Sequence, residues 1–444
     1  MSNANQSYPE KLAVEPLTRP PQAKVRVPGS KSITNRALVL AALSDNSYGC
    51  VLRGVLHSED TEVMASALTR LGFEVYADWQ ADEVSIVRPQ TVDDVIPLSH
   101  AELFVANSGT TMRFLTAMVS LGKGRYRLDG IPRMRERPIE DLLRALRQLG
   151  AQAQSENGNG CPPVLISANG LSGGHVRIKG DISSQFLSAL LLTVPFAQND
   201  TIIEVDGKLV SWPYVAMTVE MLQRWGLEVE AKDGVRFRIP GRQESGLGVF
   251  DIEPDASAAS YFWAAAAITG GQIRVADLTM HSLQGDVRFV EVLEEMGCTI
   301  FRGDSGITVR GGPLHGIDVD MNDISDTVMT LAAVACFAEG PTTIRNVAHI
   351  RHKETDRLAA LATELRRVGA EVEEFADGLT ITPRPLHGAE IETYNDHRMA
   401  MSMALIGLRV PGIVIKNPGC VAKTYPHFFT DLERLRDETP EGKS

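Results

Sequence analysis

A pattern of leucine, three residues and glycine, followed by a short run of alternating apolar residues, occurs five times along this chain. Glycine can end a helix because it adopts the left-handed conformation easily, and the alternation that follows is typical of a strand. Each repeat is therefore predicted to contain an amphipathic helix that turns through glycine into a strand. A sixth helix is predicted over 429–435 without the glycine. By subtraction the five glycines are 78, 76, 71 and 72 residues apart, and they are Gly72, Gly150, Gly226, Gly297 and Gly369.

A second series of helices recurs at the same period. These segments are apolar nearly all round, so they are predicted to be buried, and each opens with the Ser, Asp or Asn that favours a helix start. Two independent series at one period argue against a chance coincidence and indicate six duplicated units in an α/β protein of about twelve helices. The segment 240–248 is read as the crossover between the third and fourth units. The predicted starts lie near Ser32, Ser108, Ser183, Asp255, Asp326 and Asp396.

Composition excludes several classes of protein. The chain has 444 residues and a net charge of −12, which disfavours a nucleic-acid coat or a binder of anionic membranes. It contains no apolar run of about 18 residues, and its N-terminus lacks the basic and apolar regions of a signal peptide. The five cysteines are scattered and the histidines are dispersed, so neither a disulfide framework nor a metal site is predicted. We expect a cytoplasmic protein with no nucleic-acid partner and no membrane partner.

Polar and basic residues concentrate at the predicted helix starts. Free N–H groups there favour phosphate and carboxylate, lysine adds a mobile charge, and arginine adds a bidentate fork. Taken singly, each segment is equally compatible with an ordinary helix cap or a solvated charged loop. Their recurrence at equivalent points of a repeated unit favours a cleft for ligands with several anionic groups. The segments span 28–36, 107–113, 132–138, 183–185, 351–357 and 395–398.

The same segments carry a family resemblance. The chain resembles the 5-enolpyruvylshikimate-3-phosphate synthases of the enolpyruvyl transferase family, over about residues 20 to 430. The most specific matches are PRMRERP at 132–138, KETDRL at 353–358 and NDHRMAM at 395–401. The resemblance implies two domains, each an inside-out α/β barrel of three βαβαββ repeats, with the active site in the cleft between them. Residues 23–248 would form the first domain, and residues 1–22 with 249–444 the second.

The resemblance also implies the reaction. The enolpyruvyl group of phosphoenolpyruvate would move to the 5-hydroxyl of shikimate 3-phosphate by addition and elimination, with release of phosphate, on the shikimate pathway to chorismate and aromatic amino acids. The family is the target of glyphosate. No cofactor is required, the two substrates are the only partners expected, and a monomer is expected.

Residue roles follow from the resemblance, position by position. Three residues would act in catalysis, one set would bind shikimate 3-phosphate, and another would bind phosphoenolpyruvate. The catalytic set is Asp326, Glu354 and Lys31. The shikimate 3-phosphate set is Lys31, Ser32, Arg36, Ser183, Ser184, Gln185, Ser211, Tyr214, Asp326 and Lys353. The phosphoenolpyruvate set is Lys31, Gly109, Arg133, Gln185, Arg357, His397, Arg398 and Lys423.

Addition of an alcohol across an enol ether needs one base and one acid. Asp326 would take the proton of the 5-hydroxyl, and Glu354 would deliver a proton to the methylene carbon. The neighbouring Lys353 and Arg357 disfavour a protonated Glu354, because cations stabilise the ionised carboxylate. We expect the substrate's phosphate and carboxylate groups to offset those cations.

Two positions depart from common patterns of the family. Phe114 stands where many members have proline, and His349 stands where asparagine often contacts shikimate 3-phosphate. Neither is included in the predicted site.

Two other functions are weighed against the transferase. One is that of a related enzyme acting on a UDP-amino sugar, which has a cysteine on the loop corresponding to 133–137. The other is that of a scaffold that binds phosphometabolites without catalysis. The absence of cysteine from 133–137 disfavours the first.

Overall fold

The computed structural model describes residues 8–89 and 94–436, and every structural statement below refers to these ranges. The N-terminal residues 1–7 and the C-terminal residues 437–444, both assigned above to the second predicted domain, lie outside the described residues. The N-terminal segment that was predicted not to be a signal peptide lies mostly within residues 1–7, so most of it is also outside the described residues.

The chain divides into two compact units. The first unit is Gly29–Ile252, and the described part of the second unit is 8–28 together with 253–436. The division lies a few residues from the predicted boundaries after 22 and 248. Strand pairing explains the shift, because 22–25 pairs with a strand of the second unit and 249–251 pairs with a strand of the first.

Twelve α-helices lie in the described ranges. They are α1 Lys31–Leu43, α2 Glu59–Arg70, α3 Gly109–Met118, α4 Glu140–Gln148, α5 Ser184–Thr193, α6 Trp212–Arg224, α7 Ala256–Thr269, α8 Phe289–Glu295, α9 Val328–Ala335, α10 Arg357–Arg367, α11 His397–Gly407 and α12 Phe428–Arg434. The predicted count of twelve helices is confirmed for these ranges.

The strands of the first unit are β3 Cys50–Arg53, β4 Glu74–Asp78, β5 Glu83–Val87, β6 His100–Phe104, β7 Lys123–Asp129, β8 Gln152–Ser155, β9 Val164–Asn169, β10 Gly174–Lys179, β11 Thr201–Asp206, β12 Glu230–Lys232, β13 Arg236–Ile239 and β14 Val249–Asp251. Those of the second unit are β1 Lys11–Val14, β2 Gln22–Val25, β15 Gln272–Ala276, β16 Thr299–Gly303, β17 Gly306–Arg310, β18 Asp318–Asp320, β19 Thr342–Arg345, β20 Glu371–Phe375, β21 Gly378–Thr382, β22 Glu390–Ile391 and β23 Ile413–Lys416.

The strands form six small sheets, and five of them share one topology. In each of the five, two parallel strands are followed by two antiparallel strands, as in the order β6-β7-β9-β8. With α3 and α4 that sheet reads βαβαββ along the chain. The sixth sheet has the order β1-β23-β22, so the N-terminal strand β1 pairs antiparallel with β23 in place of a closing hairpin. A mixed α/β fold built on a repeated unit is thus confirmed.

The two predicted helix series occupy different environments. In the first unit α1, α3 and α5 pack against one another, and in the second unit α7, α9 and α11 do the same. Their residues are buried nearly all round, as their composition predicts. The outer helices α2, α4, α6, α8 and α10 each bury one face, and each is followed by one of the five repeat glycines. All five have the left-handed φ predicted for them, between 79° and 111°.

The length and apolarity of the helices bear on whether any of them could span a membrane. None of the helices within 8–89 and 94–436 is long and apolar enough to cross a bilayer.

Candidate active site

The first turn of α1 carries the first predicted cluster. Ser30 caps the helix by accepting a hydrogen bond from the Ile33 N–H at 3.4 Å. Lys31 opens the helix, and its Nζ lies 3.4 Å from Oδ2 of Asp60, a nearly buried carboxylate of α2. Asp60 was not in the predicted site. It holds the Lys31 ammonium at the helix start, where the helix dipole adds positive potential.

Arg36 lies one turn further along α1 and is buried. Its guanidinium donates to Thr218 Oγ1 at 2.7 Å, to the Ser32 carbonyl at 2.8 Å, to Ser188 Oγ at 3.3 Å and to the Tyr214 carbonyl at 3.1 Å. Burial lowers the pKa of Arg36 to about 10. The residue therefore ties α1 to α5 and α6, and its predicted contact with substrate remains a prediction.

Phe114 completes the environment of Arg36. The Arg36 guanidinium lies 5.2 Å from the centroid of the Phe114 ring, which is fully buried. This is the geometry of a cation–π contact. The aromatic side chain that departs from the common family pattern therefore points into the interior of the unit, and α3 still begins at Gly109 with Ser108 as its cap.

Arg113 and Arg137 belong to the basic segments 107–113 and 132–138 but were not in the predicted site. Both of their guanidiniums lie against Gly109. Arg113 Nη1 donates to the Gly109 carbonyl at 3.2 Å, and Arg137 Nη1 donates to the Asn107 carbonyl at 3.0 Å. A Cβ on Gly109 would lie 2.5 Å from Arg137 Nη2 and 2.7 Å from Arg113 Nη1. Both guanidiniums are buried. Glycine is required here because the two guanidiniums occupy the space of a side chain.

Arg133 differs from these two arginines in its surroundings. Its side chain is one-third exposed, and Nη1 donates to Glu136 Oε2 at 2.8 Å. Its neighbour Arg135 is held by Asp129 through two hydrogen bonds of 2.9 and 2.8 Å. The Arg135 side chain is the more exposed of the two, at 50% against 33% for Arg133, but it is fixed by its two hydrogen bonds to Asp129.

The starts of α5 and α6 supply the remaining predicted residues of the first unit. Ser183 caps α5 by accepting from the Gln185 N–H at 3.2 Å, and Ser184 is the first residue of that helix. Ser211 precedes α6 in a left-handed conformation with φ of 55°. Tyr214 N–H donates to the Ser211 carbonyl at 3.1 Å. A strained, buried serine at a helix start is common in binding sites.

In the second unit a single arginine joins three carboxylates. Arg357 opens α10 and donates from Nε to Asp396 Oδ2 at 2.8 Å, from Nη2 to Glu354 Oε2 at 2.9 Å, and from Nη1 to Asp326 Oδ1 at 3.4 Å. Burial lowers the pKa of Arg357, but the three carboxylates outweigh burial and raise it above its ordinary value. Arg357 is therefore a permanent cation between the two predicted acid–base residues, Asp326 and Glu354.

Asp326, the predicted base, lies in a short 3₁₀ turn, Ser325–Thr327, that leads into α9. It is not the cap of that helix, which corrects the predicted helix start at this position, because the chain winds through the tighter turn first. Asp326 Oδ2 accepts from Arg398 Nη2 at 2.7 Å, and its side chain keeps an exposed fraction of 18%. It is the most exposed carboxylate of the three that contact Arg357.

Glu354, the predicted acid, is buried between two cations. Besides Arg357, the Nζ of Lys423 lies 4.0 Å from its Oε1. Lys353, the preceding residue, is half-buried and ends the 3₁₀ turn Ala348–His352. The cationic surroundings expected from the sequence are thus present, and Lys423 adds to them.

The start of α11 brings the last predicted residues to the same place. Asp396 caps the helix by accepting from the Arg398 N–H at 2.9 Å, and His397 Nδ1 lies 3.7 Å from Asp396 Oδ1. Arg398 Nη1 also donates to the hydroxyl of Tyr261 at 3.4 Å. Asp396 and Tyr261 were absent from the predicted site. Aspartate at a helix start was interpreted as a cap only, and the Tyr261 contact depends on packing between helices.

His349 is buried within the same unit. Burial and, to a lesser extent, the nearby positive charge of Lys353 lower its pKa to about 3, although Asp326 opposes the shift. The imidazole is therefore neutral across the physiological range.

The structure thus forms two clusters, each within one unit. The first unit brings together Lys31, Ser32, Arg36, Gly109, Ser183, Ser184, Gln185, Ser211 and Tyr214 at the starts of its helices, with Arg133 on the following loop. The second brings together Asp326, Lys353, Glu354, Arg357, His397, Arg398 and Lys423. Within the described ranges no group of three or more His, Cys, Asp or Glu side chains has the arrangement to hold a metal ion.

Comparison with known proteins agrees with the α/β fold and identifies the family. The family model described as EPSP synthase (3-phosphoshikimate 1-carboxyvinyltransferase) matches residues 18–432. A 3-phosphoshikimate 1-carboxyvinyltransferase of Nostoc punctiforme is 50% identical over 96% of this chain and 99% of its own length. The chloroplastic protein of that name from Arabidopsis thaliana is 47% identical over 93% of this chain and 82% of its own. A solved EPSP synthase from Acinetobacter baumannii aligns with a TM-score of 0.77 and 26% identity, covering 96% of this chain and 98% of its own.

Repeated α/β units with polar and basic helix starts, together with these matches, define an enzyme that acts on anionic metabolites. The chain belongs to the EPSP synthase family. It is accordingly a transferase of the shikimate pathway, which moves the enolpyruvyl group of phosphoenolpyruvate onto shikimate 3-phosphate.

Proposed function

We propose that the two clusters act together on one substrate pair. The serines and Lys31 of the first unit bind shikimate 3-phosphate, with Lys353 from the second. Lys31, Gln185, Arg133 and the helix start at Gly109 bind phosphoenolpyruvate together with second-unit cations. The observation that supports the proposal is the contact of one guanidinium, that of Arg357, with both the proposed base Asp326 through Nη1 and the proposed acid Glu354 through Nη2.

The proposed chemistry begins at Asp326. Hydrogen bonds from Arg398 and Arg357 stabilise its carboxylate, and its partial exposure leaves an oxygen edge for a substrate hydroxyl. Asp326 takes the proton of the 5-hydroxyl while that oxygen bonds to C2 of phosphoenolpyruvate. Glu354 delivers a proton to C3, which becomes a methyl group in the tetrahedral intermediate.

Elimination then reverses part of this transfer. The C–O bond to phosphate breaks, the Glu354 carboxylate takes back a proton from the methyl carbon as the double bond forms again, and the leaving phosphate takes up the proton held by Asp326. The cations Lys31, Arg357, Arg398 and Lys423 stabilise the phosphate that leaves, since preformed positive groups in a dry site act strongly on developing charge.

Charge balance gives a reason for Glu354 to act as an acid. In the second cluster three carboxylates, those of Asp326, Glu354 and Asp396, contact three cations, those of Arg357, Arg398 and Lys423, and Lys353 adds a fourth positive charge. Phosphoenolpyruvate adds negative charge beside the carboxylates, and added negative charge favours uptake of a proton by one of them. Glu354 is the candidate because it is more buried than Asp326, and burial disfavours the charged form, whereas Asp396 is occupied by the Arg357 fork and the Arg398 N–H.

The finer architecture belongs to the same proposal. In each unit three buried helices pack together with sheets around them, which supports the inside-out barrel arrangement. We propose that each unit is one such barrel, that the substrates bind in the cleft between the two domains, and that the enzyme acts as a monomer. The bacterial relatives support a cytoplasmic location.

Phosphate release tests the proposal directly. The purified chain is incubated with shikimate 3-phosphate and phosphoenolpyruvate, and with each alone. Release that requires both substrates, with the enol ether product seen by NMR, supports enolpyruvyl transfer. Binding of both substrates without phosphate release would instead indicate the non-catalytic scaffold.

A further inference from the structure

Glu364 is a fully buried carboxylate that the proposed reaction does not use. It lies on α10, seven residues after Arg357, so the two residues lie on the same face of that helix. Its Oε1 accepts from the Tyr394 hydroxyl at 2.8 Å, and its Oε2 accepts from the Glu392 N–H at 3.1 Å. Arg367 donates to both oxygens, at 2.9 and 3.3 Å. A buried carboxylate with this many donors is a fixed element of the structure.

The two contacts from Tyr394 and Glu392 anchor a strained turn. The Asp396 N–H donates to the Thr393 carbonyl at 2.8 Å, and the residues between them, Tyr394 and Asn395, have φ of +53° and +52°. Two consecutive positive φ values closed by this bond are those of a type I′ turn, which favours Asn and Gly. Tyrosine is a poor occupant of its first central position because its Cβ crowds the backbone. The side chain at the unfavourable position is the one held by Glu364.

The turn determines where Asp396 lies. Asp396 follows the strained pair directly and accepts both from the Arg398 N–H at 2.9 Å and from Arg357 Nε at 2.8 Å. Helix α10 therefore holds the chain around this turn at two points: Arg357 binds Asp396, and Glu364 binds Tyr394. Loss of either contact would allow Tyr394 and Asn395 to relax toward negative φ, and this relaxation would move the start of α11.

We infer that Glu364 is a positioning residue for enolpyruvyl transfer, which holds the Tyr394–Asn395 turn so that His397 and Arg398 are presented to phosphoenolpyruvate. The inference rests on the proposed role of His397 and Arg398. The raised pKa of Tyr394, about 12 through burial and the Glu364 contact, agrees with a hydroxyl that stays a donor.

Three variants test the positioning role of Glu364. Tyr394→Phe removes one hydroxyl and keeps the ring, Glu364→Gln keeps the shape, and Glu364→Ala removes both acceptors. Thr363→Ala is the matched control, since Thr363 is the exposed neighbour on α10 and donates only to the Ala359 carbonyl. We expect KM for phosphoenolpyruvate to rise about tenfold in Tyr394→Phe and further in Glu364→Ala. Glu364→Gln should be milder than Glu364→Ala, and KM for shikimate 3-phosphate should stay within about twofold in all.

Two results would overturn the inference: unchanged kinetics in both Tyr394→Phe and Glu364→Gln, or an equal loss of affinity for both substrates. Tyr394→Phe keeps the test decisive if Glu364→Ala does not fold. Arg398→Lys separates this inference from the proposal beneath it. If Arg398→Lys raises KM for phosphoenolpyruvate and the Tyr394 and Glu364 variants do not, only the positioning role fails. If Arg398→Lys leaves that KM unchanged, the proposed role of Arg398 fails.

Discussion

Arg357 donates two hydrogen bonds to Asp396, from Nε at 2.8 Å and from Nη2 at 3.3 Å, and both side chains are almost completely buried. This fork fixes the plane of the guanidinium. Its remaining donors can then reach Asp326 and Glu354 without any adjustment of the arginine. Asp326 and Glu354, the residues proposed to exchange protons with the substrates, thus share one cation whose orientation Asp396 sets.

Replacement of Arg357 by lysine should therefore affect stability as well as catalysis. A single ammonium cannot reproduce the fork, so Asp396 and Glu354 lose donors in a buried site. We expect the free energy of unfolding to fall by about 1.5–3 kcal/mol, measured by urea denaturation, because the cation is kept and its fork of hydrogen bonds is lost. Arg366→Lys is the control on the same helix, because Arg366 is exposed and bonds only the Val372 carbonyl. Equal stability of the two variants would contradict the bridging role.

The acid–base assignment predicts a separation of binding from turnover. Asp326→Asn and Glu354→Gln should each lower kcat by about 10² to 10⁴ because proton transfer is lost. Binding of shikimate 3-phosphate, measured by calorimetry, should survive in both. Phosphate release at a near-normal rate in either variant would reject that residue's role.

Arg133 and Arg135 offer a matched pair on one loop. Arg133→Ala should weaken binding of phosphoenolpyruvate by about tenfold, because a charged hydrogen bond to the ligand is lost. Arg135→Ala should have little effect, since Arg135 is occupied by Asp129. A larger effect of Arg133→Ala on shikimate 3-phosphate than on phosphoenolpyruvate would remove Arg133 from the proposed site.

Gly109→Ala introduces a methyl group where two guanidiniums lie. Because the Cβ would come within 2.7 Å of both Arg113 and Arg137, we expect a loss of about 1–3 kcal/mol in stability and a higher KM for phosphoenolpyruvate. Gly246→Ala is the control in the same unit, with no atom within 4 Å of the added carbon. Similar kinetics for the two alanine variants would show that α3 accommodates the methyl group freely.

His349 predicts a pH dependence of stability. Its pKa is about 3 in the folded chain against 6.5 for the ordinary group, so between these values the unfolded chain binds a proton that the folded chain does not. Protonation of His349 therefore does not reduce the free energy of unfolding above pH 6.5. As the pH falls from 6.5 toward 3, the free energy of unfolding falls by up to about 1.4 kcal/mol per pH unit. His349→Asn should reduce the slope of unfolding free energy against pH in that window. His352→Asn, at an exposed neighbour, is the control. An unaltered slope in His349→Asn would contradict the burial of a neutral imidazole.

The repeated unit could be predicted from sequence because it depends on local signals. Glycines such as Gly72 and Gly369 end helices by their own conformational freedom, and caps such as Ser108 and Asp255 act within one turn. The start of α9 was predicted less well. A 3₁₀ turn and an α-helix share the same polar start signals, so Asp326 was placed at the helix start itself.

The rest depends on pairings between distant parts of the chain. Nothing in the sequence near β14 indicates that it pairs with β3, some two hundred residues earlier. The convergence of Arg113 and Arg137 on Gly109 likewise depends on how a loop packs onto a helix start. The family resemblance supplied the predicted site residues, but the supporting residues Asp60, Asp396 and Glu364 came only from the structure.

The pairing of β1 with β23 sets an order of events on the ribosome. Lys11 is opposite Lys416 in that ladder, and β2 likewise has to wait for β15. Synthesis proceeds at about 5–20 residues per second, so β1 emerges tens of seconds before its partner β23 exists. The segment 29–252, in contrast, contains all of its own strands and can fold while the remainder is still being translated. The nascent chain thus carries an unpaired N-terminal strand through most of its synthesis, and truncation near the C-terminus would leave that strand without a partner.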